Sequence, residues 1–436
     1  MTSTSGNERL HLPLNLRVRG LKSSATVEIN EISDRLREAG REVFKLGLGQ
    51  SPFPVPAPVV EALRENAPRK EYLPVRGLPA LRAAIADYLG RTHGAAFGAE
   101  DVLVGPGSKE LMFLLQVVYY GDLVIPTPAW VSYGPQAQIA GRQVRFLHTR
   151  AERGWRLAPE QLAALCEEDP GRPRIVVLNY PSNPTGGTYS AGELEALAGV
   201  ARRFGVVVLS DEIYGELHHR GEHVSIERFY REGTIVSGGL SKWCGAGGWR
   251  LGSFAFPAAL RWLLDAMAVV ASETYTSTSA PIQYAAVVAF RGGLVIEQYL
   301  WRVRRILAAL ADALRERLLA CGARVEAPAG AFYLFPDFSP FAERLGARGI
   351  GTSATLCARL LEETGVAMLP GSAFGRPPEE LSARIAYVDF DGSRALAAAE
   401  VLPPDWPIDK AFLERYCGRT LAAVDRLCSW LAEPVA

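Results

Sequence analysis

Seven short, largely apolar runs that look like buried strands constrain this fold more than any other feature of the sequence. They are "DVLVG" (101–105), "DLVIP" (122–126), "QVRFL" (143–147), "RIVVLNY" (174–180), "GVVVLSD" (205–211), "TIVSGG" (234–239) and "GSFAF" (252–256). A strand wet on one face alternates apolar and polar residues, whereas runs this apolar suit strands covered on both faces. Helical patterns lie between many of them. "SKELMFLLQVVYY" follows the first run and "SAGELEALAGVARRF" the fourth. In the latter, Ser190 stands three residues before Glu193, the spacing of a capping box. Alternating strand and helix predicts an α/β fold with a mostly parallel central sheet between layers of helices.

The pattern changes after about residue 290. "VIEQYLWRVRRILAALADALRERLLACG" reads as one long amphipathic helix. Its core stripe comprises Ile296, Leu300, Val303, Leu307, Leu310, Leu314 and Leu318, and Gly322 is its C-terminal stop. Short runs follow, "ARVEA", "GAFYLFP", "VAMLP" and "ARIAYVDF", and predict a second, smaller α/β domain. A proline-rich loop, "VLPPDWPID" (401–409), precedes a last helix. The expected organisation is an N-terminal arm over 1–45 packing with the small domain, a large domain over 46–310 and a small domain over 311–436. The first ten residues are expected to be mobile.

Composition removes several function classes. Lysine plus arginine equals aspartate plus glutamate, at 47 each, so no electrostatic footprint for nucleic acid or an anionic membrane is present. No apolar run reaches membrane-spanning length, and the start lacks the apolar segment of a signal peptide. The six cysteines are scattered without a C-x-x-C pair, which suits reduced cytoplasmic thiols.

The chemistry concentrates at predicted strand ends. In "GGLSKWCGAGGWRLG" (238–252), Lys242 follows a strand and Arg250 returns after a glycine-rich turn. Asp211 ends "GVVVLSD", with Tyr214 three residues on; it suits a helix-cap role or a ligand role equally. Asn183 lies in "NYPSNPTG", which a turn alone would also use. "GPGSKELMF" (105–113) is a glycine-rich strand-to-helix junction, where unpaired N–H groups and the helix dipole favour an anion. Taken together, a lysine able to form an imine, a carboxylate able to hold a pyridine nitrogen protonated and a phosphate cradle are the equipment for pyridoxal phosphate.

With these motifs and "YLPVRGLPALRAAI", "PTPAWVSY", "GAFYLFP", "PGSAFG" and "ARIAY" in the same order, residues 25–400 resemble a fold-type I pyridoxal-phosphate enzyme of the class I/II aminotransferases, near the aspartate aminotransferases. The resemblance implies that Lys242 carries the cofactor and shuttles a proton. It implies that Asp211 pairs with the pyridinium nitrogen, that Asn183 and Tyr214 hold the ring hydroxyl oxygen, and that Trp130 stacks on the ring. Gly107, Ser108 and Lys109 would offer N–H groups to the phosphate, with Ser241 and Arg250 completing its cradle. Tyr72 would reach the phosphate of a neighbouring subunit, implying a homodimer with shared active sites. Arg384 would grip the substrate carboxylate as a planar fork. Gly49 would bring backbone, with Asn183 and Trp130, to the substrate, or serve only as a turn.

The implied reaction moves an amino group from an amino acid to a 2-oxo acid by a ping-pong route. Lys109 points to aspartate or glutamate if it contacts a distal carboxylate; aromatic or small neutral substrates stay open if it is a surface lysine. A C–S lyase or a decarboxylase would use the same lysine. A DNA-binding regulator built on the fold is disfavoured, because about forty residues precede the matched region. Gly239 stands where a hydroxyl residue is frequent in the family. The segment "HHRGEH" (218–223) lacks the glutamate of an H-E-x-x-H motif, so no metal site is expected, and Cys244 reads as buried filler.

Overall fold

The computed structural model describes residues 15–21, 25–94, 96–403 and 406–433. The first fourteen residues, and with them the N-terminal segment expected to be mobile, lie outside these, as do residues 404–405 of the proline-rich loop. The strands in chain order are β1 (Phe44–Lys45), β2 (Val102–Gly105), β3 (Asp122–Thr127), β4 (Val144–His148), β5 (Arg174–Asn179), β6 (Val207–Asp211), β7 (Thr234–Gly239), β8 (Gly252–Ala255), β9 (Tyr333–Leu334), β10 (Val366–Ala367), β11 (Leu369–Pro370) and β12 (Ala383–Ala386).

All seven aliphatic runs enter one sheet, ordered β2-β8-β7-β6-β5-β3-β4. The pairs β7–β6, β6–β5, β5–β3 and β3–β4 are parallel, and β8 runs antiparallel to both of its neighbours. The central runs are apolar because each of their faces is covered, whereas edge strand β4 leaves Phe146 exposed. Ile175, Val177 and Leu209 pack with Leu111, Leu115 and Leu263 of helices Ser108–Val118 and Arg261–Glu273. Their alternates Val176, Leu178 and Val208 pack with Leu162, Leu194 and Leu197 of helices Pro159–Glu168 and Ala191–Phe204. Strand residues one apart therefore feed opposite cores, as the period of two demands.

The capping box forms. Ser190 Oγ accepts from the Glu193 N–H at 3.3 Å, and the Glu193 carboxylate accepts from the Ser190 N–H at 2.8 Å. Ser190→Ala is expected to cost about 1 kcal/mol, read as a lower thermal midpoint with unchanged activity.

The long helix spans Leu294–Cys321 and stops at Gly322, whose φ of 102° favours glycine. All seven residues of its expected stripe are buried. It runs unbroken through residue 310. Beyond it, β11-β12-β9 form an antiparallel sheet, and β10 pairs in parallel with β1. "VAMLP" is thus two strands in two sheets, with Met368 between them. "ARVEA" is not the strand its composition suggests. Among the described residues only Arg324 of this segment makes a bridge, to Asp337, and the Val325 carbonyl accepts from the Arg315 side chain instead of a strand neighbour. Helix Ala25–Glu38 lays Ile29, Ile32 and Leu36 on Val43, Leu361 and Ala367.

Candidate active site

In an open parallel sheet the backbone diverges at the carboxyl ends of the strands and leaves a crevice there. β5, β6 and β7 end at Asn179, Asp211 and Gly239, and a cavity of about 600 Å³ lies beyond them. Ser108, Lys109, Trp130, Asn183, Asp211, Tyr214, Ser241, Lys242, Arg250, Arg384 and Gly49 all line it. Residues distant in sequence meet there because they sit at or near the ends of elements anchored in the core, with Arg384 reaching in from β12.

Asp211 is buried at the tip of β6. Its Oδ2 accepts from Tyr133 Oη at 2.5 Å, while Oδ1 is buried and has no well-formed hydrogen bond among the described residues. Burial raises its pKa to about 6, against the opposing hydrogen bond from Tyr133 and a smaller one from the Ile213 backbone. A buried acceptor left single is costly, and a ligand N–H supplied from the cavity would satisfy it.

Lys242 Nζ donates to the Gly49 carbonyl at 2.7 Å. Burial, then the Arg384 charge, lowers its pKa to about 8, so a useful share is the neutral amine near neutral pH. Gly49 is more than a turn. A Cβ there would stand 2.0 Å from Tyr333 Oη, so only glycine admits this approach of backbone to tyrosine.

The anion cradle is built from helix Ser108–Val118 and the loop after Lys242. The N–H groups of Ser108 and Lys109 open the helix, where no intrahelical acceptor exists. Gly107 sits at the same junction, with its N–H turned to the Gly105 carbonyl at 2.7 Å. Its contribution is space, since a Cβ would lie 2.2 Å from Arg250 Nη2. Arg250 adopts a left-handed backbone, φ 54° and ψ 59°, which bends its guanidinium back to this junction. Nη1 donates to the Gly247 carbonyl at 2.8 Å. Gly252 of β8 lies against the same turn, where a Cβ would be 2.1 Å from the Ser108 nitrogen. Gly239 has a packing reason as well: a side chain there would meet the Leu251 carbonyl at 2.7 Å.

Arg384, on β12, is 1% exposed. Nη1 donates to Asn183 Oδ1 at 3.0 Å, Nη2 donates to the Gly47 carbonyl, and Nε has no partner. The guanidinium lies over the Tyr333 ring, 4.8 Å from its centroid. Lys109 Nζ sits 5.1 Å from the Trp130 ring centroid. Lys109, Lys242, Arg250 and Arg384 thus face one carboxylate, Asp211, across the cavity. None of the four is ion-paired to an acidic side chain among the described residues. The site is built to receive anions.

Tyr72 is not brought to this cavity; it is 88% exposed on the surface of its own chain. Sequence reasoning left three contributors unassigned. Tyr133 orients Asp211, Asn179 Nδ2 donates to the Asp211 carbonyl at 2.9 Å, and Tyr333 Oη meets Tyr214 Oη at 2.7 Å. Tyr133 and Tyr333 lie inside the quoted motifs "PAWVSY" and "GAFYLFP", so the signal was present without a role attached. Cys244 is fully buried, and burial pushes its thiol up to about 12.

The orphaned Asp211 oxygen, the cradle that a Cβ at Gly107 or Gly252 would fill, and a buried lysine of lowered pKa fit pyridoxal phosphate as the resident cofactor. The aminotransferase class I and II family model matches residues 41–399. An aspartate aminotransferase of Geobacillus stearothermophilus is 35% identical over 381 residues, covering 85% of this chain and 93% of that one. An asparagine–oxo-acid transaminase of Streptococcus mutans is 31% identical, covering 86% and 94%. The solved structure of Thermus thermophilus aspartate aminotransferase with maleate superposes with a TM-score of 0.81 at 30% identity, covering 95% of this chain and 99% of that one. Cavity chemistry, sheet order and sequence agree: this chain belongs to the class I and II aminotransferases, and its cofactor is pyridoxal phosphate.

Proposed function

We propose that this transaminase takes the dicarboxylic amino acids aspartate or glutamate and passes the amino group to a 2-oxo acid by a ping-pong route. The observation that carries the reading is the charge count of the cavity, four cations against Asp211 alone. Arg250, Ser241 and the N–H groups of Ser108 and Lys109 would hold the phosphate. Arg384, with Asn183 already on one arm, would take the α-carboxylate. The Lys109 ammonium is then left facing the cavity, its pKa lowered by burial and by Arg250. A second carboxylate on the substrate balances that charge, and a neutral side chain would not. The Thermus relative was solved with maleate, itself a dicarboxylate.

When bound, pyridoxal phosphate supplies an electron sink for the pair released at the substrate Cα. Asp211 would keep the ring nitrogen protonated. Tyr214 and Asn183 would hold the ring hydroxyl oxygen, with Tyr333 hydrogen-bonded to Tyr214. Trp130 would lie on the ring face. Lys242 would carry the cofactor and move the proton at the substrate Cα. Gly49 would keep backbone beside the reacting carbon.

The exposed Tyr72 would complete the phosphate site of a second copy in a homodimer. The seven-stranded sheet over 102–255 and the β11-β12-β9 sheet over 333–386 support a large and a small domain, with helix Leu294–Cys321 connecting them and the arm docked on the small one. No helix among the described residues is long and apolar enough to cross a membrane. A cytoplasmic location is proposed from the scattered cysteines.

The test is an absorption spectrum of the purified protein with single amino acids and no 2-oxo acid. Stable conversion of the cofactor to its amino form by aspartate or glutamate is expected. Conversion only by aromatic or small neutral amino acids would overturn the dicarboxylate reading. An unconverted cofactor with pyruvate or carbon dioxide accumulating would replace transamination by elimination or decarboxylation. In the same assay Arg384→Ala is expected to raise the aspartate concentration needed for half-maximal conversion by about 100-fold or more while the cofactor stays bound. Breaking a buried charged hydrogen-bonded contact costs about 2–5 kcal/mol. Loss of the cofactor instead would move Arg384 out of the substrate site.

A further inference from the structure

One residue past Asp211, on the other side of β6, lies a second polar cluster that the transamination chemistry does not use. Glu212, His93 and His223 converge there from three elements. Glu212 follows the tip of β6, His93 is the last residue of helix Pro79–His93, and His223 lies in the loop after Tyr214. Only His223 of the "HHRGEH" segment takes part. His218 Nδ1 faces the N–H groups of Arg220 and Glu222, and His219 Nε2 lies 3.3 Å from the Ala331 carbonyl.

We propose that Glu212, His93 and His223 form a binding site for a divalent transition metal of the zinc class. Two imidazoles and one carboxylate with an open fourth position are a recurrent zinc ligand set. The three ligand atoms lie within 4.8 Å of one another. His93 Nδ1 is 3.5 Å from Glu212 Oε2, and His223 Nε2 is 2.7 Å from the same oxygen. Zinc–ligand bonds near 2.0–2.2 Å set tetrahedral ligand–ligand edges of about 3.3–3.6 Å, so the first distance already suits and the second must open by about 0.6–0.9 Å.

Two independent features support the assignment. His93 Nδ1 is buried without a hydrogen-bond partner, in a side chain 7% exposed, and is left beside the carboxylate. The other carboxylate oxygen, Oε1, is held by Ser210 Oγ at 2.7 Å and Ser225 Oγ at 2.6 Å. That is the outer support a metal-bound carboxylate needs, and the ion would take Oε2 by replacing the proton that now links it to His223 Nε2 in a 2.7 Å hydrogen bond. A cavity of about 430 Å³, lined by all three residues, gives the fourth position room for water. Sequence reasoning missed the cluster because His93 is separated from its partners by more than a hundred residues.

The assignment does not rest on the amino-acid chemistry above, and it is read without turnover. The holoenzyme is dialysed against zinc and its metal content measured; a parallel sample is titrated with Co²⁺ and its visible absorption recorded. One zinc per chain, an intense low-symmetry Co²⁺ spectrum and a thermal midpoint raised by zinc are expected. His93→Gln should weaken zinc binding by at least about 100-fold, the top of the range for losing a supporting contact alone. His148→Gln, in an exposed histidine elsewhere, should leave it unchanged. No retained zinc, or only the weak Co²⁺ absorption of a hydrated ion, would overturn the proposal in the wild-type chain, whatever the fate of the variants. Zinc retained equally by His93→Gln would overturn it as well.

Discussion

Lys242→Ala is expected to abolish transamination, by more than about 10⁴-fold, the upper end of what one positioned acid–base group supplies. Two roles fall together. The amine that would carry the cofactor is gone, and so is the group that would move the proton at the substrate Cα. The geometry explains why no neighbour can substitute. Lys242 Nζ is placed by the Gly49 carbonyl at 2.7 Å, whereas Lys109 sits against Trp130 and Arg250 is tied to the Gly247 carbonyl. Lys242→Arg should fail equally, because a guanidinium stays charged and is no nucleophile. Borohydride treatment checks the chemistry separately from activity: it should fix the cofactor to the wild-type chain and leave the variant chain unlabelled. The amine titrates near pH 8, lowered mainly by burial. The neutral form is the nucleophile, so cofactor capture by the apoprotein should quicken as pH rises through about 8 and level off above it. Full activity in the alanine variant would remove Lys242 from the mechanism.

Much of this site is legible in the sequence because its chemistry is carried at strand ends, and strand ends are marked. An apolar run stops where the sheet stops, so Asp211, the last residue of β6, and Lys242, three residues past β7, stand out there. What stays hidden depends on approach between elements. Nothing in "GPGSKELMF" says that the Gly107 N–H folds back on Gly105 while its missing Cβ admits Arg250. Nothing in "PAWVSY" says that Tyr133, rather than its neighbours, grips Asp211. The strand expected at "ARVEA" failed for a related reason. Propensity describes a residue's fitness for a pleated surface, and a strand needs a neighbour to pair with. The His93, Glu212 and His223 cluster is the extreme case, since it exists only through tertiary contact.

Asp211→Asn is expected to separate function from stability in opposite directions. The substitution keeps the volume and removes the charge, so a bound ring nitrogen loses the partner that keeps it protonated. Activity should fall by about 10²–10³-fold or more, the cost of deleting one preorganised electrostatic partner, with the cofactor still attached to Lys242. Stability of the apoprotein should move the other way. The folded pKa of Asp211 stands at about 6 against 3.8 for the free side chain, chiefly through burial. The folded state therefore holds a proton that the unfolded chain gives up between those values. Ionised Asp211 opposes folding, with a penalty absent below about pH 3.8, growing as pH rises and fully present above about pH 6. The span corresponds to about 3 kcal/mol as an upper bound. Apo Asp211→Asn should then melt above the apo wild type at pH 7, and the gap should close toward pH 4. Adding cofactor should reverse the order at pH 7, because only the wild type gains a charged partner for the orphaned oxygen. An apo variant that melts below the wild type at pH 7 would show that Asp211 is satisfied without a ligand, and the reading of its free oxygen as a cofactor contact would fall with it.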